Sequence, residues 1–149
     1  MSKMLYIGAG MSYEERGQWV YLIVTVVTYA AYVLLITSGA GGGPLTEVDY
    51  VPTMLWLIGA GILASIVGRI LAAIVWHGEG HATDVRDRDI DRLGEYRGGI
   101  VLGIGMVVPF ILAITEADYF WIANAMYLAF ALASVVSAAV KLVIYRRGF

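Results

Sequence analysis

Long apolar runs alternate along this chain with short charged or glycine-rich segments. The runs cover 18–38, 52–76, 98–115 and 120–144. Each is near the ~20 residues a helix needs to cross the hydrocarbon core of a bilayer. Backbone N–H and C=O groups find no partner in lipid, and the residues do not alternate as barrel strands do. The pattern therefore predicts an all-α, antiparallel four-helix transmembrane bundle. The turn at 116–119 is short enough to force an antiparallel neighbour. Between the second and third runs, Ile90, Leu93 and Tyr96 recur at helical spacing. They predict a short amphipathic helix over 84–96, lying on the membrane surface.

Composition sharpens this picture. The chain is 60% hydrophobic, against roughly 45–50% in soluble domains. Its 149 residues form a single membrane domain, with 1–17 as an N-terminal tail and 77–97 as a central link. Met11 opens MSYEERGQW as a protein start would, so the first ten residues read as an extension or an alternative start. Ser12 and Glu15 have capping-box spacing at the head of the first helix. That helix is too long and too rich in tyrosine for a signal peptide, and it reads as retained. The absence of cysteine excludes disulfides, thiolate catalysis and iron–sulfur clusters.

Charge placement supplies topology. All ten Lys and Arg lie in or near the N-terminus, the central link and the C-terminus, and none falls in 39–51 or 116–119. The positive-inside rule then puts both termini and the link in the cytoplasm of a bacterial inner membrane.

Several helix faces are patterned. Gln18, Tyr21, Thr25, Thr28 or Tyr29, and Tyr32 share a stripe of the first span, predicting hydrogen bonds to other helices or a polar pocket. Gly61, Ser65 and Arg69 share a face of the second; an arginine at that depth snorkels, pairs with a carboxylate, or serves a ligand. Gly99 and Gly103 form Gly-x-x-x-Gly, and Pro109 predicts a kink. Ala125, Ala129, Ala133, Ser137 and Lys141 make a small-residue seam.

The densest chemistry sits in the link, which holds both histidines and six of the twelve acidic residues. His77 and His81, joined by Asp84, could ligate zinc or another transition metal, although the intervening glycines oppose a helix presenting both histidines. Asp84, Asp87 and Asp91 would share a helix face, as in magnesium-dependent lipid-phosphate enzymes. Interleaved Arg88 and Arg92 make a solvated, ion-paired helix the simpler account. No nucleotide-binding loop or nucleophile elbow is present, no cofactor is required, and nothing supports direct nucleic-acid binding.

MSYEERGQWVYLIV and DVRDRDIDRLGEYRGG resemble small four-helix bacterial membrane proteins of actinobacterial type, known only as a domain of unknown function. There the charged motif is usually Asp-Glu-Arg-Asp; Val85 stands here in place of its glutamate. Members look like partners of helix-turn-helix regulators encoded nearby, so the resemblance implies sensing or regulation.

Together these features predict a non-enzymatic sensor, regulatory partner or small-ligand or lipid binder in the bilayer. Arg69, Tyr21, Thr25, Asp87, Arg88 and Asp91 would contact a ligand or a cytoplasmic regulatory protein. A small oligomeric transporter or channel is the alternative, since the small-residue seams also permit a homo-oligomer, and a magnesium-dependent enzyme comes third.

Overall fold

The computed structural model describes residues 10–76 and 84–149. Helix α1 spans Tyr13–Gly39, α2 Tyr50–Val75, α3 Val85–Gly105, α4 Val107–Ile114 and α5 Tyr119–Arg147, with a 3₁₀ turn at Leu45–Glu47. With α3 and α4 taken as one span, four antiparallel helices are long and apolar enough to cross a membrane. The chain is a four-span integral membrane protein.

Helix α1 starts where the capping-box spacing places it, with Ser12 accepting from the Glu15 amide at 3.1 Å. One boundary differs from the sequence expectation. The helix expected over 84–96 is present, but it is not a separate surface element. It begins at Asp84, whose carboxylate and that of Asp87 form a capping box, and it runs unbroken into the third span. Its charged residues suggested an ending at the membrane surface. The backbone has no reason to stop there, since Gly98 and Gly99 are tolerated in a helix packed on a neighbour.

The third span breaks at Met106, between α3 and α4. Pro109 sits three residues later and accounts for the break: it has no N–H to offer the Gly105 carbonyl, and its ring crowds that carbonyl.

The helices do not close into a square. Helix α1 packs between α2 and α5, and α5 between α1 and α3, while among the described residues no extensive interface joins α2 to α3. The closest packing is between α3 and α5. A β-carbon at Gly98 would lie 2.9 Å from the Ala133 carbonyl, and one at Gly105 would lie 3.0 Å from Ala129 Cβ. Ala129, Ala133, Ser137 and Lys141 are all buried along this seam. Gly99 and Gly103 face open space, so the close-contact pair is Gly94 and Gly98, not the pair expected from sequence. Helix α2 meets α1 through Gly61, opposite Thr28, and Gly68, where a β-carbon would come within 2.6 Å of Val20.

An aromatic core closes the end that carries Glu47, Asp49, Glu116 and Asp118 and no Lys or Arg. Tyr32, Ile36 and Phe120 are buried there, and Tyr127 lies edge-on to both Tyr29 and Tyr32, at 5.1 and 5.0 Å between ring centres. Tyr32 donates to Asn124 Oδ1 at 2.6 Å, tying α1 to α5.

Candidate functional site

Among the described residues α2 and α3 share no extensive interface, which leaves a cleft with α1 and α5 as its floor. In its membrane-embedded part a cavity of about 370 Å³ is walled by Tyr21, Thr25 and Thr28 of α1, by Gly61 and Arg69 of α2, and by Phe130 of α5, among others. Tyr21, Arg69, Phe130 and Ser134 also wall a second cavity, of about 410 Å³, toward the charged end; across it stand Asp91, Glu95 and Gly98 of α3. A third, of about 340 Å³, continues past Asp91 and Lys141 to Asp87, Arg88 and Tyr145. The three share walls, so the cleft runs from an apolar interior to a charged mouth.

Arg69 stands at the junction of the first two cavities. Its guanidinium lies against Gly17, where a β-carbon would be 3.0 Å from Nε, and its Nη2 reaches Glu14 Oε2 at 3.3 Å. The pair is partly exposed, and pairs of that kind contribute little to stability. Its value is positional: Glu14 holds the guanidinium at the wall.

On the opposite wall the charges are layered. Lys141 Nζ is 2.8 Å from Asp91 Oδ1 and 2.5 Å from Glu95 Oε1. Ser137 also donates to that Glu95 oxygen, at 3.0 Å. The lysine side chain is 6% exposed, against 61% for Asp91 and 66% for Glu95. The cation is therefore the buried partner and needs its carboxylates, whereas the carboxylates keep solvated faces turned outward. This wall presents acid to the cleft.

Behind the mouth, Glu15 is buried with its Oε1 2.6 Å from Arg146 Nε. Tyr145 donates to Asp87 Oδ1 at 2.8 Å, and the Arg16 guanidinium lies 4.9 Å from the Trp76 ring centre. These contacts tie α1, α2, α3 and α5 together at one end.

Of the residues singled out from sequence, Tyr21, Thr25 and Arg69 line one cavity, and Asp87, Arg88 and Asp91 line another that opens from the same cleft. His77 and His81, expected as metal ligands, lie outside the described residues. Asp84 is engaged in the helix cap. Among the described residues no group of three His, Cys, Asp or Glu side chains is arranged to hold a metal ion. Asp84, Asp87 and Asp91 each bind a different partner: the helix N-terminus, Tyr145 and Lys141.

Two expectations from sequence are corrected. The intrahelical pairs with Arg88 and Arg92 do not form among the described residues; Asp91 turns instead to Lys141 on α5. Thr25 and Thr28 do not bridge helices either, because their hydroxyls donate to the Tyr21 and Val24 carbonyls of their own helix. That choice leaves the cavity wall smooth and largely apolar. Glu14, Glu95, Ser137 and Lys141 entered no candidate site from sequence, although Lys141 closing the alanine seam was a usable signal for a cation needing an acid on the facing helix.

No family model, curated protein or solved structure matches the chain.

Proposed function

We propose that the protein is a non-enzymatic membrane protein that binds an amphiphilic lipid-like ligand, with its charged end in the cytoplasm. The observation that carries this reading is the continuity of the cleft: an apolar cavity within the spans passes Arg69 into a charged mouth. A wholly polar solute has no use for the inner cavity, and a wholly apolar one has none for the mouth. Because α2 and α3 share no extensive interface among the described residues, the ligand enters sideways from the bilayer.

Occupancy has a route to the cytoplasm. Helix α3 is continuous from the cleft wall at Glu95 and Gly98 to its cap at Asp84, so a ligand that repositions α3 also moves the exposed side chains of Arg86, Asp89 and Arg92. That surface suits a regulatory partner, in keeping with the family resemblance of the charged motif.

The test is mass spectrometry of the intact protein released from native-lipid discs. The expected result is a retained lipid, lost in Ser134→Phe, which fills the junction of the two inner cavities. A folded protein that carries no lipid overturns the reading. Transport is the second reading, supported by the reach of the cleft from the mouth to Leu57. Solute flux in proteoliposomes that is abolished by Arg69→Ala would establish it.

A further inference from the structure

The arrangement of charge around the cleft mouth narrows the ligand to one headgroup class. Resting on the lipid-binding reading above, we infer that the site selects a phospholipid whose headgroup joins a phosphate to a primary ammonium, as in phosphatidylethanolamine. The two walls differ in sign. Arg69 on α2 is the cation where the inner cavity meets the outer one, and it is partly exposed, with one carboxylate contact at 3.3 Å. On α3, Asp91 and Glu95 line the second cavity and face outward, and Lys141 of α5, the cation they pair with, is buried beneath them; Arg88 and Arg92 line the third cavity further out.

An anionic group rising from the apolar cavity therefore meets Arg69 first, where guanidinium geometry suits a phosphate. A cationic group on the same headgroup meets Asp91 and Glu95, which line the second cavity with Arg69. Each carboxylate has about four lone-pair positions, and Lys141 and Ser137 occupy only part of that capacity. An ammonium brings three N–H donors to fill the remainder, which a trimethylammonium cannot do and a glycerol headgroup does without charge.

The balance of charge agrees. The two outer cavities are walled by Glu14, Asp87, Asp91 and Glu95 on one side of the ledger and by Arg69, Arg88, Arg92 and Lys141 on the other. A net-neutral mouth complements a zwitterion better than an anion or a cation. Below the headgroup, the wall from Leu57 to Arg69 gives about 18 Å of helix at roughly 1.5 Å per residue, a depth that accepts much of an acyl chain.

The experiment titrates the full chain in detergent with lysolipids of one chain length bearing ethanolamine, choline or glycerol headgroups, read by mass spectrometry of the intact complex. The ethanolamine lipid should bind about tenfold more tightly than the glycerol lipid, the scale of one charge-assisted hydrogen bond. Glu95→Gln should bring ethanolamine down to the choline level, and Arg69→Gln should weaken both together. Equal binding of all three, or preference for glycerol, overturns the headgroup assignment while leaving a lipid binder. Displacement by free phosphoethanolamine at equal concentration overturns the lipid as occupant. A folded protein that binds none of the three removes the underlying reading as well. If Glu95→Gln does not fold, the wild-type comparison of headgroups decides alone.

Discussion

The stem of Lys141 crosses α3 over Gly94, where a β-carbon would overlap its Cγ, Cδ and Cε, and its ammonium then reaches Glu95, the next residue. Absence of a side chain at one position and a carboxylate at the following one together let a lysine lie buried between two membrane helices.

Gly94→Ala should consequently force α3 and α5 apart at the charged end. Overpacking of this kind costs about 1–3 kcal/mol. Gly99→Ala, facing open space, should be neutral or slightly stabilising, since alanine exceeds glycine in helix propensity by up to ~1 kcal/mol. Thermal unfolding in micelles compares the two, and equal shifts would contradict the packing described.

The Lys141 cluster should respond asymmetrically. Lys141→Met leaves carboxylates that are already largely solvated and should destabilise by less than about 1.5 kcal/mol, in the range of volume-conserving changes. The double change Asp91→Asn with Glu95→Gln strands a buried ammonium and should cost about 3–5 kcal/mol. Denaturant titration of both variants reads the difference; the reverse order would refute the assignment of Lys141 as the buried partner.

Tyr32→Phe removes the hydrogen bond to Asn124. Interhelical bonds in membranes average about 0.6 kcal/mol and reach about 1.7 kcal/mol, and the lost stability should fall in that interval. Thr25→Val removes a hydroxyl that serves only its own helix and should leave unfolding unchanged. A larger effect at Thr25 than at Tyr32 would mean that the threonine bridges helices after all.

Because the chain has no cysteine, single introduced cysteines report orientation directly. With the charged end cytoplasmic, Gly42→Cys and Ala117→Cys should react with an impermeant maleimide from outside intact cells, and Arg88→Cys only after lysis. Labelling of Arg88→Cys in intact cells reverses the proposed topology.

Much of the architecture could be read from periodicity. Four apolar runs gave four helices, and the seam of Ala129, Ala133 and Ser137 is buried where its spacing placed it. The charged segment misled at one point, with consequences for the site. Treating 84–96 as a surface helix detached Gly94 and Glu95 from the third span, which shifted the expected glycine contact to Gly99 and Gly103 and hid the acid opposite Lys141. Hydropathy reports where a helix leaves lipid, not where it ends. Tyr21, Thr25 and Arg69 could be grouped from helical spacing, since each stripe is local. Glu14 beside Arg69, or Glu95 beside Lys141, depends on which helices are neighbours, and charge patterning along one helix carries no such information.

The neighbour order also bears on biogenesis. Helices α1 and α2 bury a glycine-lined contact of their own, as do α3 and α5, and the two pairs meet through α1 and α5. Each hairpin can therefore insert as a unit and dock afterwards, with Glu15–Arg146 and Tyr32–Asn124 as the polar latches of the late step. A gene divided between the codons for Trp76 and Asp84 should then yield two co-expressed fragments that reassemble in the bilayer.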